Sequence, residues 1–201
     1  MKQSINEQTD KFVGFLEGQR GPTGRANLAE LRRAATDPLR DYRDVRILGD
    51  HLPDTDNWSF DAYRLTAALF ALYATKFWDK SGRLNLPRFG PNDKRRSLGA
   101  SLRRLKYQLG VGQDSLDLRF SALLDTPRED LTVPLRGVMQ RIATADKRVP
   151  IDFRRLLNDL IYWNADETPR TWARDYWQAT TADDEADGDL EELTPKSTDT
   201  I

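Results

Sequence analysis

A chain of 201 residues with 38% hydrophobic and 9% aromatic side chains is long and apolar enough to bury its own core. It contains no cysteine, which excludes disulfides, thiol nucleophiles and cysteine-ligated metals and favours a cytoplasmic location. The formal net charge of -1 is unevenly distributed: residues 180–201 hold eight acids and a single base, Lys196, which leaves residues 1–179 with a formal +6. A polyanionic partner is therefore expected for the basic part of the chain.

Helix-forming patterns dominate in chain order, and period-two strand patterns are nearly absent. A first helix carries Phe12, Phe15 and Leu16 and ends near the glycine- and proline-containing turn at 19–24. A second is predicted to begin near Arg25. The later helices are predicted to begin at Pro38, behind an Asp37 cap, and to cover about residues 57–78, 93–109, 115–124, 127–143, 150–163 and 169–179. The sequence thus predicts an all-α bundle of about eight or nine helices.

The domain organisation is predicted from glycine placement and charge. The Gly-Val-Gly-Gln turn at 110–113 suggests two helical lobes, residues 1–110 and 111–179. Residues 180–201 form an acidic tail with few apolar side chains, for which we predict disorder. The longest run of small apolar residues, 67–74, is far shorter than the roughly 20 residues of a bilayer-spanning helix, so we expect no membrane insertion.

A search for catalytic residues finds little. His51 is the only histidine and lies beside a proline in a predicted surface turn, so it has no second histidine with which to bind a metal. Asp152, Asp159 and Asp175 have arginines nearby in sequence, which favours surface ion pairs. No phosphate-binding glycine loop or nucleophile motif is present. We therefore expect no enzymatic activity, no cofactor, no metal and no small-molecule substrate.

The helix predicted over residues 93–109 carries an unusual row of cations. Its leucines are spaced 4, 3 and 4 residues apart, at positions 98, 102, 105 and 109, and form one core-facing stripe. The wheel places Arg96, Arg103 and Tyr107 on the opposite, water-facing side, with Arg95 and Arg104 on the flanks. Only Asp93 is available within the helix to pair with them. Two interpretations stay open, an ordinary solvated face and a surface that contacts phosphates.

The five tryptophans also allow two interpretations. They could stack on nucleic-acid bases, but their helical spacing with neighbouring apolar residues favours packing in the core. The tryptophans are Trp58, Trp78, Trp163, Trp172 and Trp177.

Several motifs, taken in order, resemble the CasB family, the small subunit of the type I-E CRISPR surveillance complex called Cascade. The motifs are FVGFLEGQ at 12–19, RANLAELRRA at 25–34, SLGASLRRL at 97–105, RFSALLDTPREDL at 119–131, IDFRRLLNDLIYW at 151–163 and WARDYW at 172–177. Each alone is a short amphipathic segment, whereas their order and spacing together are fairly specific. The acidic tail lies outside the resemblance.

The resemblance implies an all-α protein of two lobes without a catalytic centre. Two copies would sit head to tail beside the backbone subunits that carry the guide RNA. The implied partners are the other Cascade subunits, a second copy, the guide RNA and the target DNA. There the small subunit would help to hold the target strand and the displaced strand apart in the R-loop. Because RNA-guided recognition leaves sequence reading to base pairing, its protein contacts need only be cationic and shape-selective.

Eight arginines are predicted to contact nucleic-acid backbone. Six stand in motifs that match the family, and two, Arg95 and Arg96, are added by the helical wheel. The six are Arg32, Arg33, Arg103, Arg104, Arg119 and Arg136. The alternative for each is a carboxylate of a neighbouring subunit, which would make the protein a helical scaffold whose basic face docks on acidic partner subunits.

Overall fold

The computed structural model describes residues 2–34, 42–54, 56–109, 112–165 and 167–178, with their side chains except those of residues 2–6 and 34. This part of the chain is built from α-helices and short 3-10 turns, with only two isolated bridges between extended residues. The α-helices are α1 (Lys2–Glu17), α2 (Gly21–Ala34), α3 (Arg43–Leu48), α4 (Asn57–Ala74), α5 (Leu98–Leu109), α6 (Gln113–Leu124), α7 (Thr132–Thr144), α8 (Phe153–Ile161) and α9 (Glu167–Trp177). The predicted all-α class is confirmed.

Helix α4 is the central element of the bundle, as the sequence predicts. The Asp56 carboxylate caps its first turn by accepting a hydrogen bond from the Ser59 backbone N–H at 3.0 Å. Twelve of its 18 residues are buried, because α2, α7 and α8 pack around it. No described helix is both long enough and apolar enough to cross a membrane.

One arginine lies inside this apolar helix. Arg64 is fully buried, and its guanidinium donates to both carboxylate oxygens of Asp44, at 2.8 and 3.1 Å. Two such bonds in fork geometry offset the cost of burying both charges. Asp44 belongs to α3, a short helix that follows the helix start predicted at Pro38. The predicted start at Pro38 lies outside the described residues.

Several helix boundaries differ from their predicted positions: α4 ends at Ala74 rather than at 78, and α7 begins at Thr132 rather than near 127. Two further shifts have a clear physical cause. Helix α2 begins at Gly21 rather than near Arg25, because the Gly21 N–H donates to the Gly82 carbonyl at 2.9 Å and anchors the helix start on a distant loop. Helix α5 begins at Leu98 rather than at Asp93. The Ser97 hydroxyl accepts from the Ala100 N–H at 3.3 Å and provides the cap.

Helices α5 and α9 pack against each other at unusually short range. A Cβ added to Gly99 would lie 2.1 Å from the backbone oxygen of Trp172, so only glycine allows this approach. Buried side chains from both predicted lobes, such as Leu102 and Trp172, belong to one hydrophobic core. The predicted boundary at 110–111 and the acidic tail lie outside the described residues, and the division into lobes stays a prediction.

Candidate nucleic-acid interface

An open groove of about 600 Å³ lies where α2, α4, α6 and α7 meet. Its lining, which we call the basic groove, consists of Arg32, Leu72, Thr75, Arg119, Gly137, Gln140, Arg141, Ala143 and Thr144. Three helices, α2, α6 and α7, each supply one arginine to it. Two of the eight predicted contact residues, Arg32 and Arg119, are thus brought together.

Amphipathic spacing positions these arginines. Arg32 follows the buried Leu31 in the last turn of α2, on the outer side of that helix. Arg119 lies between the buried residues Leu116 and Phe120 of α6, and it too is exposed. The apolar neighbours pin each helix to the core, so the arginine side chains have to extend outward.

All the charged side chains that line the groove are positive. No acidic residue lines it, and neither Arg32 nor Arg119 forms an ion pair with any described residue. The third arginine, Arg141, donates to the Ser115 hydroxyl at 3.1 Å, a neutral partner that leaves its charge uncompensated. A guanidinium stays protonated at all physiological pH values and presents a planar fork to phosphate oxygens. The groove can therefore hold a polyanionic backbone.

The predicted cation row on α5 is arranged differently, and the water-facing placement of Arg103 is wrong. Arg103 is only 7% exposed, donates to the Gln178 backbone carbonyl and donates to the Tyr107 hydroxyl at 3.1 Å. The helical wheel fails here because α9 packs on a second side of α5, the one that carries Gly99 and, four residues later, Arg103. Tyr107 itself is exposed, as predicted.

The neighbouring arginines are also engaged within the protein. Arg95 donates to the Gln178 carbonyl at 2.6 Å and lies 3.6 Å from Asp175. Arg104 pairs with Asp93 at 2.6 Å. Arg96 is exposed but donates to the backbone carbonyls of Asp93 and Gly90, at 3.1 and 3.2 Å. These contacts tie the loop before α5 and the end of α9 to the bundle.

A second pocket, of about 460 Å³, lies beside this row. Its lining, which we call the mixed pocket, consists of Lys94, Arg95, Arg96, Ser97, Asp152, Arg155, Glu167, Thr171, Arg174 and Asp175. Five cations face three carboxylates there, whereas the basic groove contains no carboxylate. Most of the cationic charge of the mixed pocket is therefore already compensated.

Arg33 and Arg136 lie outside both pockets. Arg33 is exposed and pairs with Glu30 one helical turn earlier, at 2.7 Å. Arg136 is partly buried on α7, next to Gly137 of the basic groove. Contact with nucleic acid remains a prediction for both, as it does for the arginines of the α5 row.

Two of the aspartates predicted to form surface ion pairs are in fact buried. Asp159 accepts from Trp172 Nε1 at 2.6 Å and from Arg155 Nε at 2.7 Å. Asp175 accepts from the Ser97 hydroxyl at 2.7 Å. Burial raises the pKa of Asp159 above its usual value, although both hydrogen bonds act in the opposite direction. The remaining one, Asp152, caps α8 by accepting from the Arg155 N–H at 3.0 Å.

A sequence comparison with known families identifies the chain. The family model for CRISPR-associated protein Cse2 matches residues 27–177, which is most of the chain. The chain belongs to the Cse2 family. A Cse2 protein of Thermus thermophilus is 30% identical to it over 193 residues, covering 94% of this chain and 99% of that protein. The predicted resemblance is confirmed.

Solved structures of the family have the same fold. The crystal structure of M. ruber CasB has a TM-score of 0.63 and 28% identity, covering 89% of this chain and 97% of its own. A chain from a structure described as a CRISPR RNA-guided surveillance complex has a TM-score of 0.61 and covers 86% of this chain and 92% of its own. At 20% identity, that second likeness shows the fold alone.

Arg141 is the groove residue that sequence reasoning missed. It appears in the sequence as a single arginine, a common surface residue, and no motif of the family covers it. The only local feature that links it to the groove is its position four residues after Gly137, another groove residue, on the same face of α7. Because the groove forms where α2 and α7 pack on α4 and α6 packs on α7, this signal has meaning only in the folded Cse2-family chain.

His51 and the buried tryptophans make packing contacts within the protein. The imidazole of His51 stacks on Phe15, with ring centroids 4.0 Å apart. The described residues contain no cluster of three or more potential metal ligands. Trp163 and Trp172 pack edge to face in the core, with centroids 5.0 Å apart, whereas Trp177 is about half exposed. Core packing is confirmed for the first two.

Proposed function

We propose that this Cse2-family chain is a non-catalytic small subunit of a cytoplasmic, type I-E RNA-guided CRISPR complex that serves antiviral defence. Its partners are the other Cascade subunits, a second copy of itself, the guide RNA and the target DNA. It binds nucleic-acid backbone and thereby stabilises the R-loop and the assembly. Family membership supports the CRISPR role, and the fold shared with a chain of an RNA-guided surveillance complex supports the place in an assembly.

The observation that carries the proposal is the basic groove. Arg32, Arg119 and Arg141 converge there without a carboxylate in the lining. Such a surface contacts phosphates without reading bases, which is what a subunit needs when base pairing with a guide supplies the specificity. The groove is a part of the cationic surface where three arginines converge without a carboxylate in the lining.

The experiment measures binding of the full chain to single-stranded DNA across a salt series. Three phosphate contacts predict that log affinity falls with log salt with a slope of about -2. The double variant Arg32→Ala with Arg119→Ala should weaken binding to all sequences alike and reduce the steepness of the slope by about 1.4.

The double variant Arg46→Ala with Arg83→Ala is the matched control, because both arginines are exposed and lie outside the groove, and their loss removes the same amount of charge. It should change the slope by less than half as much as the groove double variant. An equal loss in the control, or a salt response that is flat for the wild type, would contradict the groove assignment.

The mixed pocket favours the second candidate function, a scaffold that binds only proteins. Its interspersed cations and carboxylates suit a partner that presents both signs of charge. In that case the chain would not bind DNA even at low salt, while Lys94→Glu or Arg174→Glu would weaken its incorporation into the complex. Incorporation can be measured by co-purification with the other subunits.

A further inference from the structure

The proposed function does not use one feature of the sequence, the separation of the acidic residues 180–201 from the basic remainder of the chain. Residues 180–201 contain eight acids and one base. This segment begins two residues after Gln178, the last described residue. A polyanionic segment attached to a chain with an uncompensated cationic groove is, chemically, a tethered competitor for that groove.

The acidic segment follows the end of α9 in sequence, and the last turn of that helix is held in place. The Gln178 carbonyl accepts hydrogen bonds from both Arg95 and Arg103, so the last turn of α9 is held on α5. The Trp177 ring lies 5.3 Å from the Phe120 ring, centroid to centroid. Phe120 follows Arg119 in α6. The last described turn of α9 therefore lies beside the helix that supplies one of the groove arginines.

The acidic segment is long enough to reach the basic groove. Asp183 follows Gln178 by five residues, which span up to about 17 Å when extended, and the whole segment spans up to about 75 Å. A domain of this size has a radius of gyration of only about 17 Å. Tethers of this kind give effective concentrations in the millimolar range, enough to populate a weak contact between opposite charges.

The charges that line the mixed pocket and the basic groove indicate which of the two attracts the acidic segment more strongly. The mixed pocket lies close to Gln178, but its three carboxylates would repel further acids. The basic groove has three arginines and no carboxylate in its lining. Because it offers the larger net attraction per contact, the groove is the favoured surface.

We propose that residues 180–201 bind the basic groove of their own chain and compete there with nucleic acid. The proposal rests on the proposed function, because it assigns regulation to the same groove. The contact lowers the affinity for stray single strands, whereas a nucleic acid held in place by the other subunits of the complex displaces the segment. Being electrostatic, the contact weakens as salt rises.

The first experiment detects the contact without any nucleic acid. The chain has no cysteine, so Ala186→Cys gives a single site for a nitroxide label in the full-length protein. At 50 mM salt the label should be partly immobilised in its electron paramagnetic resonance spectrum. It should become mobile at about 500 mM salt and when Arg32→Ala and Arg119→Ala are added, but not when Arg46→Ala and Arg83→Ala are added. Identical spectra with and without the groove substitutions would overturn the proposal.

The second experiment measures competition. A full-length variant with the eight acids changed to asparagine or glutamine should bind single-stranded DNA about 3- to 10-fold more tightly than the wild type at 50 mM salt, and equally at high salt. The gain should disappear when Arg32→Ala and Arg119→Ala are present. A gain that persists there would indicate long-range repulsion and would overturn competition at the groove.

The two experiments separate failure of this inference from failure of the proposed function. If the groove substitutions weaken DNA binding but do not release the label, the function stands and the tail contact is wrong. If they release the label but leave DNA affinity unchanged, the tail contact stands, while the groove is not a nucleic-acid site and competition is overturned. Circular dichroism of each variant checks that the exposed substitutions leave the helices intact.

Discussion

The basic groove and the α5 arginine row use the same side chain for opposite purposes. The row is dense in sequence, with Arg95, Arg96, Arg103 and Arg104 on one segment, yet each of these donates to a carbonyl or a carboxylate of the protein. The groove is sparse in sequence, with one arginine on each of three helices, and its lining contains no acid. A cluster of cations along the chain is thus no measure of free cationic surface.

The difference reflects what each region has to hold. The row faces a helix end, where unpaired backbone carbonyls need donors, and arginine supplies several donors at once. Each groove arginine has a buried apolar neighbour in sequence that already fixes its helix, so its guanidinium is not needed for that purpose. These neighbours are Leu31, Phe120 and Ile142. If this distinction is correct, substitutions in the row should change stability, and substitutions in the groove should change binding.

The largest expected effect in the row region comes from Gly99→Ala. The new Cβ would lie 2.1 Å from the Trp172 oxygen, so α5 and α9 would have to separate, at a cost of about 3 kcal/mol in the free energy of unfolding. Urea denaturation of the full chain measures this.

The matched control for that substitution is Gly137→Ala. Its Cβ would point into open space at the groove, and the higher helix propensity of alanine should stabilise the protein by about 0.5 to 1 kcal/mol. Equal effects of the two alanines would contradict the close packing of α5 on α9.

Arg103→Ala should have the next largest effect. It removes donors to the Gln178 carbonyl and the Tyr107 hydroxyl together with buried aliphatic contacts, so we expect a loss of about 2 kcal/mol in unfolding free energy. The exposed Arg96→Ala should cost less than about 1 kcal/mol. A fully stable Arg103→Ala protein would restore the water-facing position that the helical wheel predicts.

Acid should weaken the junction of α5, α6 and α9 through Asp117. Burial disfavours its charged form, but hydrogen bonds from Lys106, at 2.7 Å, and from the Tyr176 hydroxyl outweigh this and lower the pKa of Asp117. A lowered pKa contributes stability that is present above the unfolded-state value of about 4 and is lost as pH falls through the folded value.

Asp117→Asn should therefore destabilise the protein by about 1 kcal/mol at pH 7, and the difference from wild type should shrink below about pH 4. Urea midpoints measured from pH 7 to pH 3 would show this. Asp114→Asn, at an exposed position of the same helix, should give a smaller difference. A gap between wild type and Asp117→Asn that is constant with pH would argue against the ionised bridge.

The smallest effect should be that of Arg96→Ala on DNA binding. Because its guanidinium is held by two backbone carbonyls, we expect less than a twofold loss of affinity for single strands, compared with a clear loss for the groove variants. Titrations at one low salt concentration compare them directly. If Arg96→Ala weakens binding as much as Arg32→Ala, the two regions share one function.

The fold class and the central helix could be predicted because they depend on local signals. Helix α4 has a capping aspartate and apolar residues on nearly every side, and both are visible in the sequence. The start of α5 and the burial of Asp159 depend instead on distant partners, a turn before Ser97 and the indole N–H of Trp172. No periodicity encodes such contacts.

The candidate site was predictable only in part for the same reason. Arg32 and Arg119 stand in motifs that match the family, but their convergence with Arg141 results from the packing of α2 and α7 on α4 and of α6 on α7. Arg103 was misplaced because the leucine stripe defines only one covered side of α5. Gly99, a residue unfavourable inside a helix, was the local hint that a second side is covered.

The two hydrogen bonds that Arg95 and Arg103 donate to the Gln178 carbonyl have a mechanical consequence. A helix end normally frays first, since its last carbonyls have no partners inside the helix. Here any tension applied to the chain beyond residue 178 passes through Arg95 and Arg103 into α5, and from there into the middle of the bundle. A partner that pulls on the acidic segment would therefore load two helices at once instead of peeling α9 away turn by turn.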